Sequence, residues 1–134
     1  KHCKDWSLWR VWHTDVVRRA YPWSCLLADG ATNGADLNVQ SAERAKAAIA
    51  LLVALFLVLG LFKPALLIGA AAMALFYIYM NRKFFSFLAR TLAPWMVPGA
   101  MAMHWCYHIY SSATFVFVML QTRLGLRKPH IAKA

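Results

Sequence analysis

The chain has little negative charge. Only five of its 134 residues are Asp or Glu, against fifteen Lys or Arg, for a formal net charge of +10. No Asp-x-Asp motif, glycine-rich phosphate loop or βαβ pattern is visible, so a nucleotide-binding catalytic domain is not expected in this sequence. Cysteine is scarce too. Cys3, Cys25 and Cys106 make an odd count of three without metal-ligand spacing, which argues against a disulfide framework and favours no redox compartment. Zinc-finger spacing and a soluble basic domain are also missing. The excess of Lys and Arg therefore does not indicate nucleic acid. It lies beside apolar segments, where cations face anionic lipid head groups.

What the chain does have is apolar length. Hydrophobic residues make up 61% of it. Residues 47–62 (AAIALLVALFLVLGLF) and 65–80 (ALLIGAAAMALFYIYM) flank Lys63-Pro64, and neither run carries a charge or a side-chain amide. A spanning helix needs roughly 20 mostly apolar residues. Flanking residues extend the runs to Ser41–Phe62, with Arg44 and Lys46 snorkelling at its start, and to Pro64–Arg82. The fold class predicted is an all-α membrane protein with a transmembrane helical hairpin over 41–82. The alternative, a buried helical pair, lacks the alternation of apolar and polar faces such helices show. The hairpin starts too far from residue 1 for a signal peptide. Because the first residue is Lys1 and not Met, the sequence is expected to be trimmed or part of something longer. Ala50 and Ala54, Ala65 and Gly69, and Ala70 and Ala74 place small residues four apart, a spacing that lets helices approach closely.

The flanks are amphipathic. Trp6, Trp9, Trp12 and Trp23 interleave with Lys1, Lys4, Arg10, Arg18 and Arg19. Residues 1–40 are therefore predicted to hold an interfacial helix ended by Tyr21-Pro22-Trp23, followed by a glycine- and asparagine-bearing loop. Ser41 suits an N-cap, with Glu43 favouring the helix dipole. In 83–94, Phe84, Phe85, Phe87 and Leu88 lie beside Arg82, Lys83 and Arg90, which predicts a second interfacial helix. Residues 95–120 form a third transmembrane or re-entrant helix. It carries a polar stripe of His104, Tyr107, His108, Ser111 and Ser112 at one-face helical offsets. His at i and i+4 can bind metal, but the glutamate of that motif and a third ligand are missing, so interhelical hydrogen bonding is expected and no metal. Residues 121–134 read as a loosely ordered basic tail. Counting positive charge puts the N-terminal side in the cytoplasm, and the predicted location is integral to a membrane. A third full passage would carry the basic tail to the far side against that rule, and a re-entrant segment would not.

Four stretches resemble one family in order and spacing. Thr14-Asp15-Val16-Val17-Arg18-Arg19-Ala20-Tyr21-Pro22-Trp23-Ser24 is similar to the T-D-I-F-x-R-A-x-P-W-T stretch of membrane-bound bacterial family 2 glycosyltransferases. Asp36-Leu37-Asn38-Val39 with Arg44 resembles their D-L-N-L-x-x-x-x-R. Asn81 to Arg90, then His104-Trp105-Cys106-Tyr107-His108-Ile109-Tyr110-Ser111, is similar to their N-R-x-F-[YF]-x-F-L-A-R and H-W-x-Y-x-x-Y-S.

The resemblance implies an enzyme of the bacterial inner membrane that moves a sugar from a nucleotide-sugar donor to a lipid or lipid-linked acceptor. It implies a GT-A catalytic domain whose Asp-x-Asp holds a divalent metal, Mg or Mn. That domain is absent here, so the chain is expected to be the membrane-anchoring C-terminal part, inactive alone. Its partners would be that catalytic domain, the lipid bilayer, and an anionic or polyprenyl-type lipid. Arg18, Arg19, Arg44 and Lys46 are the candidates for contact with lipid phosphate or the interface. The neighbouring Asp15 is read as an ion-pair partner of Arg18 or Arg19, since offsets of three and four suit a helix. The alternative is a small non-enzymatic integral membrane protein, acting as a subunit or lipid-binding partner. A transporter fragment is disfavoured by the lack of repeats and intramembrane acids.

Overall fold

The computed structural model describes residues 7–30 and 41–127. Cys3, Trp6, the Asp36-Leu37-Asn38-Val39 stretch and the tail from 128 onward lie outside the described residues. All regular structure among the described residues is helical. Helix α1 (Leu8–Asp15) runs through a π-helical turn (Val16–Ala20) into α2 (Tyr21–Ala28). Then come α3 (Ser41–Gly60), α4 (Leu66–Met80), α5 (Arg82–Thr91), a 3-10 turn (Pro94–Met96) and α6 (Val97–Arg123). The chain forms two compact units. One holds α1, α2 and the part of α6 from Tyr110 onward; the other holds α3, α4, α5 and α6 up to Ile109.

In the second unit, α3 and α4 form an antiparallel hairpin. The chain reverses over Leu61–Ala65, where Phe62 N–H donates to Leu59 at 3.1 Å and Leu67 N–H to Pro64 at 3.0 Å. Small residues let the helices close up. Ala50 and Ala70 are buried, and a Cβ on Gly69 would lie 3.5 Å from the Phe56 ring. The core gathers Ile49, Ala50, Tyr77 and Phe85, with Met80, Leu88, Met101 and Trp105 packed against it. Trp105 of α6 ties to α3 by donating Nε1–H to the Ala50 carbonyl at 3.1 Å.

The expected membrane passages are not formed. No helix among the described residues is long and apolar enough to cross a membrane. Helix α3 spans 20 residues, but Glu43, Arg44 and Lys46 occupy its start, and it stops at Gly60. Helix α4 has 15 residues, about 22 Å of rise against roughly 30 Å of hydrocarbon. Helix α6 is long enough at 27 residues, but His104, Tyr107, His108, Ser111 and Ser112 interrupt its apolar character. This overturns the transmembrane hairpin over 41–82 and the transmembrane or re-entrant helix over 95–120. The integral location in a bacterial inner membrane, with a cytoplasmic N-terminal side, falls with them. Helix α5, expected to lie at an interface between passages, instead seats Phe85 in the core.

In the first unit, Ser7 caps α1 by accepting from the Arg10 N–H at 3.3 Å. The helix was expected to end at Tyr21-Pro22-Trp23 but continues. The wider π turn at Val16–Ala20 comes just before Pro22, which lacks an N–H and crowds the preceding turn, and Pro22 then sits at the start of α2. Trp9, Trp12 and Trp23 are exposed. Helix α6 ends in a Schellman motif. Gly125 adopts φ +67, Leu126 N–H donates to Gln121 at 2.9 Å and Gly125 N–H to Thr122 at 3.3 Å. The turn brings Arg127 onto Asp29. Its Nη2 pairs with Oδ1, its Nη1 lies 3.3 Å from Oδ2, and its Nε donates to Thr122 Oγ1 at 3.2 Å. Residues 121–127 are thus built into the unit and are not a loose tail. The Asp29 side chain is 1% exposed, so removing Arg127 takes a charged partner away from a buried carboxylate. Arg127→Ala is expected to lower the melting temperature on the order of 5 °C, and Arg127→Lys to recover part of the loss, in thermal melts followed by circular dichroism.

Candidate functional site

The site is built where α4 gives way to α5. Asn81 ends the first helix and begins the second, with φ -97 and ψ 11. Its side chain is buried, so it must satisfy its amide internally. The Nδ2–H donates to the Tyr77 carbonyl at 2.9 Å, which turns Oδ1 toward His104 Nε2 at 3.2 Å. An amide oxygen only accepts, so His104 carries a proton on Nε2 and donates it. Rings close around this chain of bonds. Phe84 lies 4.5 Å from His104 between centroids, His108 4.8 Å from His104, and Tyr77 edge-on to His108 at 5.7 Å.

Burial sets the charge state of this cluster. It pushes the His108 pKa down to about 4, with neighbouring His104 adding to the effect. Burial also lowers His104, and it raises the Tyr77 phenol. Both imidazoles are therefore neutral near pH 7. Tyr77 Oη and His108 Nε2 are buried without a hydrogen-bond partner among the described residues.

Above the cluster lies a groove of about 530 Å³, lined by Lys46 of α3, Phe76 and Tyr79 of α4, and Arg82, Lys83 and Phe84 of α5. Arg82 is held in place. Its guanidinium sits 4.5 Å over the Tyr79 ring and Nη1 donates to the Tyr79 carbonyl at 3.2 Å. A second groove of about 470 Å³ shares Arg82 and Lys83 and adds Ser86, Phe87 and Arg90. The three carboxylates among the described residues each have a cation: Asp15 with Arg19 at 3.3 Å, Glu43 with Lys46 at 2.6 Å, and Asp29 with Arg127.

The residues expected to meet lipid phosphate do not share one unit. Arg18 and Arg19 belong to the first, Arg44 and Lys46 to the second. Arg18 is exposed, Arg19 pairs with Asp15, Arg44 is exposed, and Lys46 alone of the four lines the groove. Asp15 also accepts from the Tyr110 hydroxyl at 2.9 Å. The polar stripe is divided between units after Ile109. His108 is buried and His104 half-buried, Tyr107 is exposed, and Ser111 and Ser112 fall in the other unit. Asn81, Tyr77, Arg82 and Lys83 were not singled out as site residues. The available signal was an asparagine four positions after a tyrosine, closing a long apolar run.

The divalent metal that the resemblance implies would belong to a GT-A domain outside this sequence. No group of three His, Cys, Asp or Glu among the described residues could hold one, and the three carboxylates already face cations. Set against protein-family models, curated proteins and solved structures, the chain matches none.

Two outcomes follow from the buried cluster. His108 has a folded pKa near 4 against an ordinary 6.5, so the unfolded chain binds the extra proton between those values. Stability should be flat above pH 6.5, fall on acidification by on the order of 3 kcal/mol in total, and level off below pH 4. Denaturant unfolding across that range checks this, and His108→Phe should remove its share of the fall, leaving only the share that comes from His104. Tyr77→Phe removes a buried hydroxyl that lacks a hydrogen-bond partner among the described residues. It should leave stability unchanged or raise it by up to about 1 kcal/mol, where a satisfied hydroxyl would show a loss.

Proposed function

We propose that the chain serves a family 2 glycosyltransferase as the helical part that seats a lipid or lipid-linked acceptor, while a GT-A domain outside this sequence transfers the sugar from its nucleotide donor. One observation carries this reading. Residues of the stretches that resemble the family, far apart in sequence, bond to one another: Asn81 with His104 at 3.2 Å, and Asp15 with Tyr110 at 2.9 Å. A chance scatter of similar letters would not be expected to pair across 23 and 95 residues. The scarcity of carboxylates fits a part that positions substrate and leaves metal and base chemistry to another domain. The exposed aromatic and cationic side chains of α4 and α5 suit an amphiphilic acceptor.

The coding sequence upstream of Lys1 provides the first test. An in-frame GT-A domain with Asp-x-Asp is expected, and a start codon at this boundary with no such domain nearby defeats the proposal. In the full-length protein, Arg19→Ala should lower sugar transfer to a lipid acceptor at least tenfold while donor hydrolysis stays within about twofold. Equal loss of both activities would make the Asp15–Arg19 pair a folding element only.

A further inference from the structure

We infer that the groove between α3, α4 and α5 binds the phosphate of an amphiphile, with Arg82 and Lys83 as its reading groups, so that the acceptor is phosphate-bearing and not neutral. This rests on the acceptor-seating role proposed above and specifies it. Charge complementarity comes first. Arg82 and Lys83 stand on the ridge shared by both grooves, and no carboxylate among the described residues pairs with either. Glu43 is bonded to Lys46, the groove's lining residue from α3, at 2.6 Å. His104 and His108 are neutral by burial and Lys46 is paired with Glu43, so the positive field at the groove comes from Arg82 and Lys83 and is constant near neutrality.

Arg82 is also pre-set. One guanidinium nitrogen is fixed on the Tyr79 carbonyl at 3.2 Å and the guanidinium carbon lies over the Tyr79 ring, 4.5 Å from its centroid. The remaining N–H groups match the forked geometry of phosphate oxygens, and little side-chain freedom is left to lose on binding. An apolar wall continues from that charge. Phe76, Tyr79 and Phe84 line the same groove and are 47%, 58% and 40% exposed. A bare anion would leave those rings uncovered, and a neutral lipid would leave the cations unmatched. An amphiphilic phosphate satisfies both, and about 530 Å³ lies within the size of ordinary small-molecule sites.

The experiment titrates the full chain by calorimetry with a short-chain phosphatidic acid, the diacylglycerol with the same chains, and inorganic phosphate. Phosphatidic acid should bind at least tenfold tighter than either of the others. Arg82→Ala/Lys83→Ala should lose at least tenfold in that affinity, while Arg123→Ala, outside both grooves, should not change it. Lys83→Gln alone, on an exposed side chain, gives a second reading should the double variant fail to fold, with a loss of at least threefold expected. Comparable binding of diacylglycerol, undiminished binding by the groove variants, or an equal loss from Arg123→Ala each overturns the inference. Inorganic phosphate binding as tightly as phosphatidic acid would overturn it too, by removing the apolar part. The assay involves no sugar donor. Sugar transfer to a neutral lipid without phosphatidic acid binding would sink the inference alone. Phosphatidic acid binding by this chain, with no transferase activity in the full-length protein that contains it, would sink the functional reading alone.

Discussion

The second unit depends on how one buried amide is satisfied. Asn81 sits where α4 and α5 meet and cannot reach water, so both ends of its side chain must find partners inside. The donor end takes the Tyr77 carbonyl at 2.9 Å, which also accepts the Asn81 backbone N–H at 3.1 Å. That choice turns the acceptor end toward α6 and fixes the proton on His104. Once His104 is placed, Trp105 and His108 follow on the same helix. The first reaches the Ala50 carbonyl of α3, and the second packs edge-on against Tyr77. The turn that Asn81 permits also projects Arg82 back over Tyr79 and leaves Lys83 beside it. One residue therefore orients both the buried imidazole cluster and the cationic rim above it.

The hairpin was legible because apolar runs separated by Lys63-Pro64 can hardly do anything but form two helices that fold back on each other. The close approach was legible in part, since Ala50, Gly69 and Ala70 do lie where the helices meet. The reading failed on helix ends. An apolar run measures what a segment excludes, whereas a spanning helix requires that the apolar residues and the helical residues coincide. In α3 they do not: the helix begins among Glu43, Arg44 and Lys46 and ends at Gly60. Pro22 misled for a related reason. A proline disfavours the α conformation before it, but a π turn can absorb the misfit without ending the helix.

Pairings across long separations were the least legible. The Asp15–Arg19 pair follows from an offset of four, and it is present. Nothing local announces that Asp29 will meet Arg127 across 98 residues, or that Asp15 will also accept from Tyr110. In both cases the signal was the residue type alone: an acid in a chain with very few, whose burial would otherwise be costly. The polar stripe on α6 shows the reverse limit. Five polar residues share a helical face by spacing, but the fold sends His108 inward, leaves Tyr107 outside and assigns Ser111 and Ser112 to the other unit. Spacing defines a face; it does not define what that face meets along its length.

The scarcity of acids carries more weight after the structure than before it. In the sequence it removes one kind of chemistry, because a metal-dependent transfer site needs carboxylates. In the fold, each described carboxylate is committed to a cation of its own: Arg19, Lys46 or Arg127. None is left to neutralise Arg82 or Lys83. Exposed like charges close together are tolerated in water at a modest repulsive cost, and that repulsion is relieved when an anion arrives. Salt would screen such an anion if it were held by charge alone. Aromatic walls beside the cations change that balance, because burying an attached chain adds a contribution that salt does not weaken. Deep retention at physiological ionic strength therefore requires both halves of an amphiphile. The groove offers cation and ring within one wall, which distinguishes it from the scattered surface arginines such as Arg18 and Arg123.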